Sequence, residues 1–124
     1  MLLCALSPEK LTEQLQVIRS ELGLLPDAHL PVGVGFLSWI LEKDTSESDP
    51  RVSSVLKQKV QAIWFAFGDK VGNYVKQVRA EAPQAVVFVL VNSVEEALRA
   101  TNEWKADVIV VQGRVYRLKQ SSIL

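Results

Sequence analysis

The sequence repeats one pattern: a short apolar run rich in β-branched residues, a turn, and a stretch with helical spacing. Each run is almost continuously apolar, which is typical of strands covered on both faces. Strands that alternate with helices pair in parallel through right-handed crossovers. The predicted strands are Pro31 to Leu37, Ala62 to Phe67, Val86 to Val91 and Val108 to Gln112.

Apolar residues at intervals of three and four predict four amphipathic helices between these strands. Start signals agree, because Ser7-Pro8 and Asp49-Pro50 each join an N-cap candidate to a proline at the first helical position. Ser93 and Glu96 form a capping box, and Asp69 is a candidate cap for the third helix. The four helical stripes are Leu11, Leu15, Ile18, Leu22; Val52, Val55, Leu56, Val60; Val71, Tyr74, Val75, Val78; and Val94, Ala97, Leu98, Thr101.

The predicted fold class is α/β, a partial TIM barrel with about four parallel β-strands alternating with four helices. If each strand lies beside the previous one, every helix lies on the same face of the sheet. The other face is then bare and apolar, and a complete barrel would hide it inside. Four strands cannot close such a barrel, so residues 1–124 are expected to form a single truncated (β/α) barrel fragment.

Length, composition and charge limit the classes of protein to which this chain can belong. A length of 124 residues suits one domain, and 48% apolar residues can build a core. Fourteen basic residues balance fourteen acidic ones, which predicts no nucleic-acid partner and no membrane partner. One cysteine, Cys4, cannot form an internal disulfide. The apolar segment from Met1 to Leu6 is too short for a signal peptide or a membrane span, so a cytoplasmic protein is expected.

Ligands of βα folds bind at the carboxyl ends of the strands. Those ends carry Gly33, Gly35, Gly68, Asn92 and the pair Gln112-Gly113. The glycines either let the backbone approach a ligand or simply permit the turns into the helices, and the sequence leaves both interpretations open.

Groups of the usual catalytic types are not found at these ends. His29, the only histidine, precedes a strand and is interpreted as a surface loop residue. No Cys/His cluster has metal-ligand spacing, so no metal site is expected. Asp69 is either an acid at a strand end or an N-cap. The three tryptophans are expected to pack between helices and sheet, and Glu42-Lys43 to form a solvated surface.

Four segments together point to a known family: PVGVGFLSW at 31–39, AIWFAFGD at 62–69, VNSVEEAL at 91–98 and WKADVIVVQG at 104–113. They closely resemble successive stretches of the nitronate monooxygenases, formerly called 2-nitropropane dioxygenases. The segment Ser7-Pro8-Glu9-Lys10-Leu11 is similar to the first helix of that family, and the resemblance covers about residues 7 to 114.

The resemblance implies a TIM-like barrel that holds FMN without a covalent bond and oxidises alkyl nitronates with dioxygen. It implies that Gly35, Gln112 and Gly113 bind the cofactor, and that Phe67 and Gly68 line the substrate side. Leu90 stands where relatives often carry a polar residue near the flavin, which puts that contact in doubt.

The sequence departs from the family at both ends. The family begins with a strand and a glycine-rich turn where this chain has Met1 to Leu6. Its catalytic histidine follows in a Gly-Gly-His segment, where this chain has a divergent tail at 115–124. We therefore expect a truncated flavoprotein relative with no catalytic residue, which does not retain FMN and is inactive alone. The alternative is a non-catalytic α/β module that associates with a full-length paralogue or with itself, as a homodimer through the exposed sheet face.

Overall fold

The computed structural model describes residues 2–4 and 7–111, which form one parallel five-stranded sheet. The strand order follows the chain, so each strand pairs with the next. This order is the simplest product of right-handed βαβ crossovers. The strands are β1 (Leu2–Cys4), β2 (Leu30–Leu37), β3 (Val60–Ala66), β4 (Val86–Val91) and β5 (Val108–Val111).

Five helices connect the described strands, and the predicted start signals hold for three of them. Ser7 accepts a hydrogen bond from the Lys10 amide, and Asp49 accepts one from the Arg51 amide. Ser93 accepts from the Glu96 amide, although the Glu96 carboxylate accepts from the amide of Asn92 rather than from that of Ser93. The helices are α1 (Pro8–Glu21), α2 (Ser38–Asp44), α3 (Pro50–Lys57), α4 (Val71–Glu81) and α5 (Val94–Asn102).

The predicted α/β class with parallel strands alternating with helices is confirmed. All four predicted strands and all four predicted helices are present, and the structure adds two further elements, β1 and α2. The strand β1 has three residues, and its pairing with β2 defines it rather than its own pattern. The helix α2 has seven residues and begins without a side-chain cap, so it carries no start signal.

The second predicted helix also ended too late. Val60 is the first residue of β3 and not a member of the α3 stripe. The chain leaves α3 through Lys59, whose φ of 58° lies in the left-handed region. That conformation ends a helix, so the apolar residue after it belongs to the next strand.

Burial alternates along β4 and through the middle of β3, as a sheet with one helix-covered face requires. The helix-facing residues are fully or almost fully buried, and they stack in register across β2, β3 and β4. They form the core together with the helix stripes. These residues are Val34, Phe36, Ile63, Phe65, Val87 and Val89.

The opposite face of the sheet is apolar and only partly covered by the described residues. Trp64 and Phe88 are register neighbours on it, and their rings stack with centroids 5.3 Å apart and an interplanar angle of 3°. We call this surface the open face. Its partly exposed residues are Ala62, Trp64, Val86, Phe88, Leu90, Val108 and Val110.

Candidate functional site

The carboxyl edge of the sheet is shaped by the turn that follows β3. Phe67 has a φ of 58°, a left-handed conformation that aromatic residues rarely adopt, and its side chain is 41% exposed. Its carbonyl accepts a hydrogen bond of 3.0 Å from the Trp39 amide at the start of α2. A strained residue with an exposed aromatic ring therefore stands where ligands of this architecture bind.

Gly68 follows Phe67 and lies directly against α2. A Cβ atom built on Gly68 would fall 2.5 Å from the Cβ of Ser38 and would overlap the Glu42 carboxylate. No side chain larger than hydrogen fits in this space. The close approach of α2 is thus sufficient to explain this glycine, whether or not a ligand also contacts it.

The Glu42 carboxylate binds the turn between β3 and α4. It accepts hydrogen bonds from the amides of Asp69, at 3.2 Å, and Lys70, at 2.9 Å. The prediction that Asp69 caps α4 was wrong, because Lys70 is the N-cap residue and makes no side-chain cap bond. Glu42 performs this task from another helix, so it is not the ordinary solvated residue that the sequence suggested.

Ser38 is fully buried, and its Oγ has no hydrogen-bond partner among the described residues. A buried hydroxyl without a partner carries an unfavourable desolvation energy. Its side chain packs against Gly68 on the same face of α2 as Glu42. Ser38, Glu42 and Gly68 together seal the edge between β2 and β3.

Gly35 lies on the open face of β2, two residues before the strand ends. It is buried and is the register partner of Trp64 on β3. The structure therefore brings Gly35 onto the strand next to the one that leads to Phe67 and Gly68. Gln112 and Gly113, the other two predicted cofactor contacts, lie outside the described residues, as does the 115–124 tail.

In three of the described helices a side-chain oxygen accepts a hydrogen bond from one amide of the first turn: Ser7 caps α1, Asp49 caps α3 and Ser93 caps α5. Glu42 binds the amides of Asp69 and Lys70, which directly precede α4. Helix N-termini are the usual phosphate-binding positions in α/β proteins. At the N-termini of α1, α3 and α5, part of this binding capacity is therefore used by the chain's own side chains.

Asp49 is the most strongly held carboxylate of this edge. Its side chain is inaccessible to solvent, forms an ion pair of 2.8 Å with Arg51 and accepts a hydrogen bond of 2.9 Å from Thr45. Burial raises the pKa of the Asp49 carboxyl, but the hydrogen bonds from Arg51 and Thr45 and the Arg51 charge outweigh it, so the pKa lies below its ordinary value. Asp49 is thus an ionised structural group.

Tryptophan packing agrees with prediction at only one of three positions. Trp104 lies against Gly72 of α4, where a Cβ would come within 2.5 Å of its ring. Trp39 is exposed beneath the Lys43 ammonium, which lies 4.8 Å from its ring centroid, and Trp64 lies on the open face. The prediction that all three pack between helices and sheet was therefore wrong for Trp39 and Trp64.

The only histidine lies far along the strands from this edge. His29 is exposed at the amino end of β2, beside a hollow of about 420 Å³ that Gln61 and Gln84 also line. Within residues 2–4 and 7–111, no group of three His, Cys, Asp or Glu side chains is placed to hold a metal ion. Among these same residues, no helix has the length and apolarity needed to cross a membrane.

The fold and the edge define a parallel α/β protein with an open apolar sheet face and a tightly closed β3–α4 turn. Comparison of the chain with protein families, with curated proteins and with solved structures finds no match.

Proposed function

We propose that this chain is a relative of the FMN-dependent nitronate monooxygenases and contributes the ring-binding side of a flavin site. Gly35 contacts the cofactor on that side, and Phe67 and Gly68 line the substrate side of the ring. Gln112 and Gly113 complete the cofactor contacts in the proposal. In such a protein FMN supplies the oxidation chemistry, and the chain positions the ring.

The conformation of Phe67 carries the proposal. A left-handed backbone at an aromatic residue costs on the order of 1–3 kcal/mol and persists mostly where the surrounding structure imposes it, often at functional sites. The Trp39 amide holds the Phe67 carbonyl in this arrangement. Phe67 thereby offers an exposed aromatic ring at the carboxyl edge, one strand away from Gly35.

The helix N-termini support a second part of the proposal, that the described residues do not hold the phosphate of FMN. One first-turn amide in each of α1, α3 and α5 is already bound to a side-chain oxygen of the chain, and Glu42 holds the two amides that precede α4. A flavin bound here would gain energy from its ring and little from its phosphate. We therefore propose that the chain alone retains FMN poorly and does not turn over alkyl nitronates.

Riboflavin and FMN, which differ by the phosphate, test both parts. We expect both to bind with similar, submillimolar dissociation constants in fluorescence titrations, and oxygen uptake with an alkyl nitronate to stay at background. An FMN affinity more than about tenfold above that of riboflavin would refute the phosphate part. Binding of neither flavin at millimolar concentration would refute the flavin proposal.

The variant Phe67→Asn tests whether the Phe67 side chain contacts the bound flavin. Asparagine tolerates the left-handed conformation, so the turn is kept while the aromatic ring is removed. We expect flavin affinity to fall about tenfold or more. Leu25→Asn is the matched control, because Leu25 is 71% exposed in the α1–β2 connection, away from the carboxyl edge. Equal affinities of the two variants would show that Phe67 takes no part in binding.

Association is a second candidate function, favoured by the open face. Apolar patches above a few hundred Å² usually mark an interaction site. The stacked pair of Trp64 and Phe88 forms the centre of this surface. In this alternative the chain is a non-catalytic module whose partner is itself or a full-length paralogue, and light scattering that shows a monomer at all concentrations would exclude self-association.

A further inference from the structure

The helices contact one another through a recurring position. In each of α1, α3 and α4, the residue directly after one that belongs to the core or packs against it touches the next large helix or the segment adjoining it. Arg19, after Ile18, donates to the carbonyl of Gln58 at the end of α3. Ser53, after Val52, hydrogen-bonds to Gln77 and Glu81 of α4.

The third member of the series is Gly72 on α4, which follows Val71 and lies against Trp104 just after α5. One residue is a rotation of about 100° around a helix, so these positions all lie on the same flank. We call this side the leading flank. On α5 the same position, directly after the buried Ala97, is Leu98, which is 44% exposed.

Val94 lies one turn before Leu98 on the same side of α5 and is also exposed. The leading flank of α5 is thus apolar, whereas no described helix covers it. At the opposite end of the sheet, α1 has the converse feature. Val17 directly precedes Ile18, which packs against the core, as Gln77 of α4 precedes the core residue Val78 and contacts α3.

The side of α1 that carries Val17 is therefore its trailing flank, which faces away from α3. Val17 is 58% exposed there, in a shallow groove of about 420 Å³ that Lys10, Gln14 and Ile18 help to line. The chain thus presents an apolar leading flank at one end and, at the other, a trailing flank on which Val17 is exposed among the polar side chains of Lys10, Glu13 and Gln14. Within the chain, the leading flank of α3 contacts the trailing flank of α4, through Ser53 and Gln77. The leading flank of α5 could contact the trailing flank of an α1 helix in the same way.

We propose that a second copy of this chain occupies both flanks, with α5 of each copy packed on α1 of the other. The inference rests on the second candidate function and specifies its partner and geometry. In this dimer, β5 of one copy lies beside β1 of the other and runs parallel to it. The sheet of one copy therefore continues into the sheet of the other. A two-fold axis closes the pair, because each copy gives one leading and one trailing flank. The two open faces line a shared interior.

Interface size favours this arrangement over stacking of the two open faces alone. Four inter-strand spacings of about 4.8 Å and strands of about 20 Å give a flat patch on the order of 400 Å². A stable interface needs about 800 Å² from each partner. Stacking of the two open faces buries less than this area. The proposed dimer buries additional area along two helix flanks and two strand edges.

Sedimentation equilibrium of the full chain and of four single variants tests the proposal. Leu98→Arg and Val17→Arg should each weaken dimerisation at least tenfold, and Leu25→Arg, on a still more exposed leucine outside both flanks, should leave it unchanged. Hydrogen exchange should show that amides of β1 and β5 become protected as concentration rises.

Three outcomes would overturn the proposal. A monomer at every concentration would mean that no second copy binds. A dimer weakened by Phe88→Arg but not by Leu98→Arg would mean that the open faces stack instead. Dimerisation without protection of β1 and β5 would exclude the edge contact. Flavin binding is measured in a separate titration of the same samples, so rejection of the dimer proposal leaves the flavin proposal unaffected.

Discussion

The Gln77 carboxamide makes two hydrogen bonds with the backbone of Asp49, one in each direction. Its Oε1 accepts from the Asp49 amide, and its Nε2 donates to the Asp49 carbonyl, both at 2.9 Å. Both partners are buried, so these bonds replace water for the loop between α2 and α3. A single side chain of α4 thus fixes the start of α3.

Replacing Gln77 by alanine should lower the free energy of unfolding by roughly 2–3 kcal/mol, because buried backbone groups lose their partners. Urea denaturation followed by circular dichroism measures this change. The exposed Gln16 on α1 is the matched control, and Gln16→Ala should change stability by less than about 0.5 kcal/mol. Similar losses for the two variants would contradict the importance of the Gln77 contact.

The Asp49–Arg51 pair predicts a loss of stability in acid. The pKa of the Asp49 carboxyl is lower in the folded chain than its ordinary value of 3.8. Its contribution is therefore complete above the unfolded-state pKa, near pH 4, and is lost as the pH falls through the lower folded-state value. The stability difference between the wild type and Asp49→Asn should be about 2–3 kcal/mol at pH 7 and should shrink below pH 4.

Asp44→Asn is the control for this pH series. Asp44 also pairs with Arg51, at 3.3 Å, but its side chain is mostly exposed. An exposed ion pair contributes little, so this variant should follow the wild type within about 0.5 kcal/mol across the series. A difference for Asp49→Asn that stays constant down to pH 2 would exclude the ionised carboxylate as its cause.

Sequence reasoning predicted the repeated βα architecture because periodicity and caps are local signals. Ser7, Asp49 and Ser93 were identified as caps from neighbouring residues alone, and the structure confirms them. Glu42 was missed because its partners, the amides of Asp69 and Lys70, are 27 and 28 residues away in the chain. A cap supplied from another helix leaves no pattern in the segment that it caps.

In the candidate site, too, local features were predicted from the sequence and contacts between distant segments were not. The sequence placed Phe67 and Gly68 near a strand end, but it did not indicate the left-handed backbone of Phe67. That conformation follows from the bond between the Trp39 amide and the Phe67 carbonyl, which depends on α2. Because α2 begins without a side-chain cap, neither the helix nor its effect on Phe67 could be predicted from local sequence.

Alanine substitutions at Gly68 and Gly33 compare a glycine that close packing requires with one that has room for a Cβ. Gly68→Ala should lower the free energy of unfolding by about 2 kcal/mol or more, because its Cβ would overlap Ser38 and Glu42. Gly33→Ala should be tolerated, since the nearest atom to its Cβ would be the Ala62 Cβ at 3.6 Å, an ordinary contact. Thermal unfolding of the two variants compares them directly. Equal melting temperatures would show that α2 moves aside without cost.

Lys105 offers a test in which a substitution stabilises the chain. It has a φ of 57°, and its exposed side chain lies in the turn between α5 and β5. Glycine adopts this conformation without the Cβ strain of other residues, which is about 1–2 kcal/mol. Lys105→Gly should therefore raise the free energy of unfolding by roughly 1 kcal/mol.

Lys105→Ala is the matched comparison, because it removes the same side chain but keeps the Cβ. The Lys105 carbonyl accepts a hydrogen bond of 2.6 Å from Arg79, and both variants retain this bond. The glycine variant should thus be more stable than the alanine variant by about 1 kcal/mol in urea denaturation. If alanine proves equal or better, the entropy that glycine adds to the unfolded chain outweighs the relief of strain at this turn.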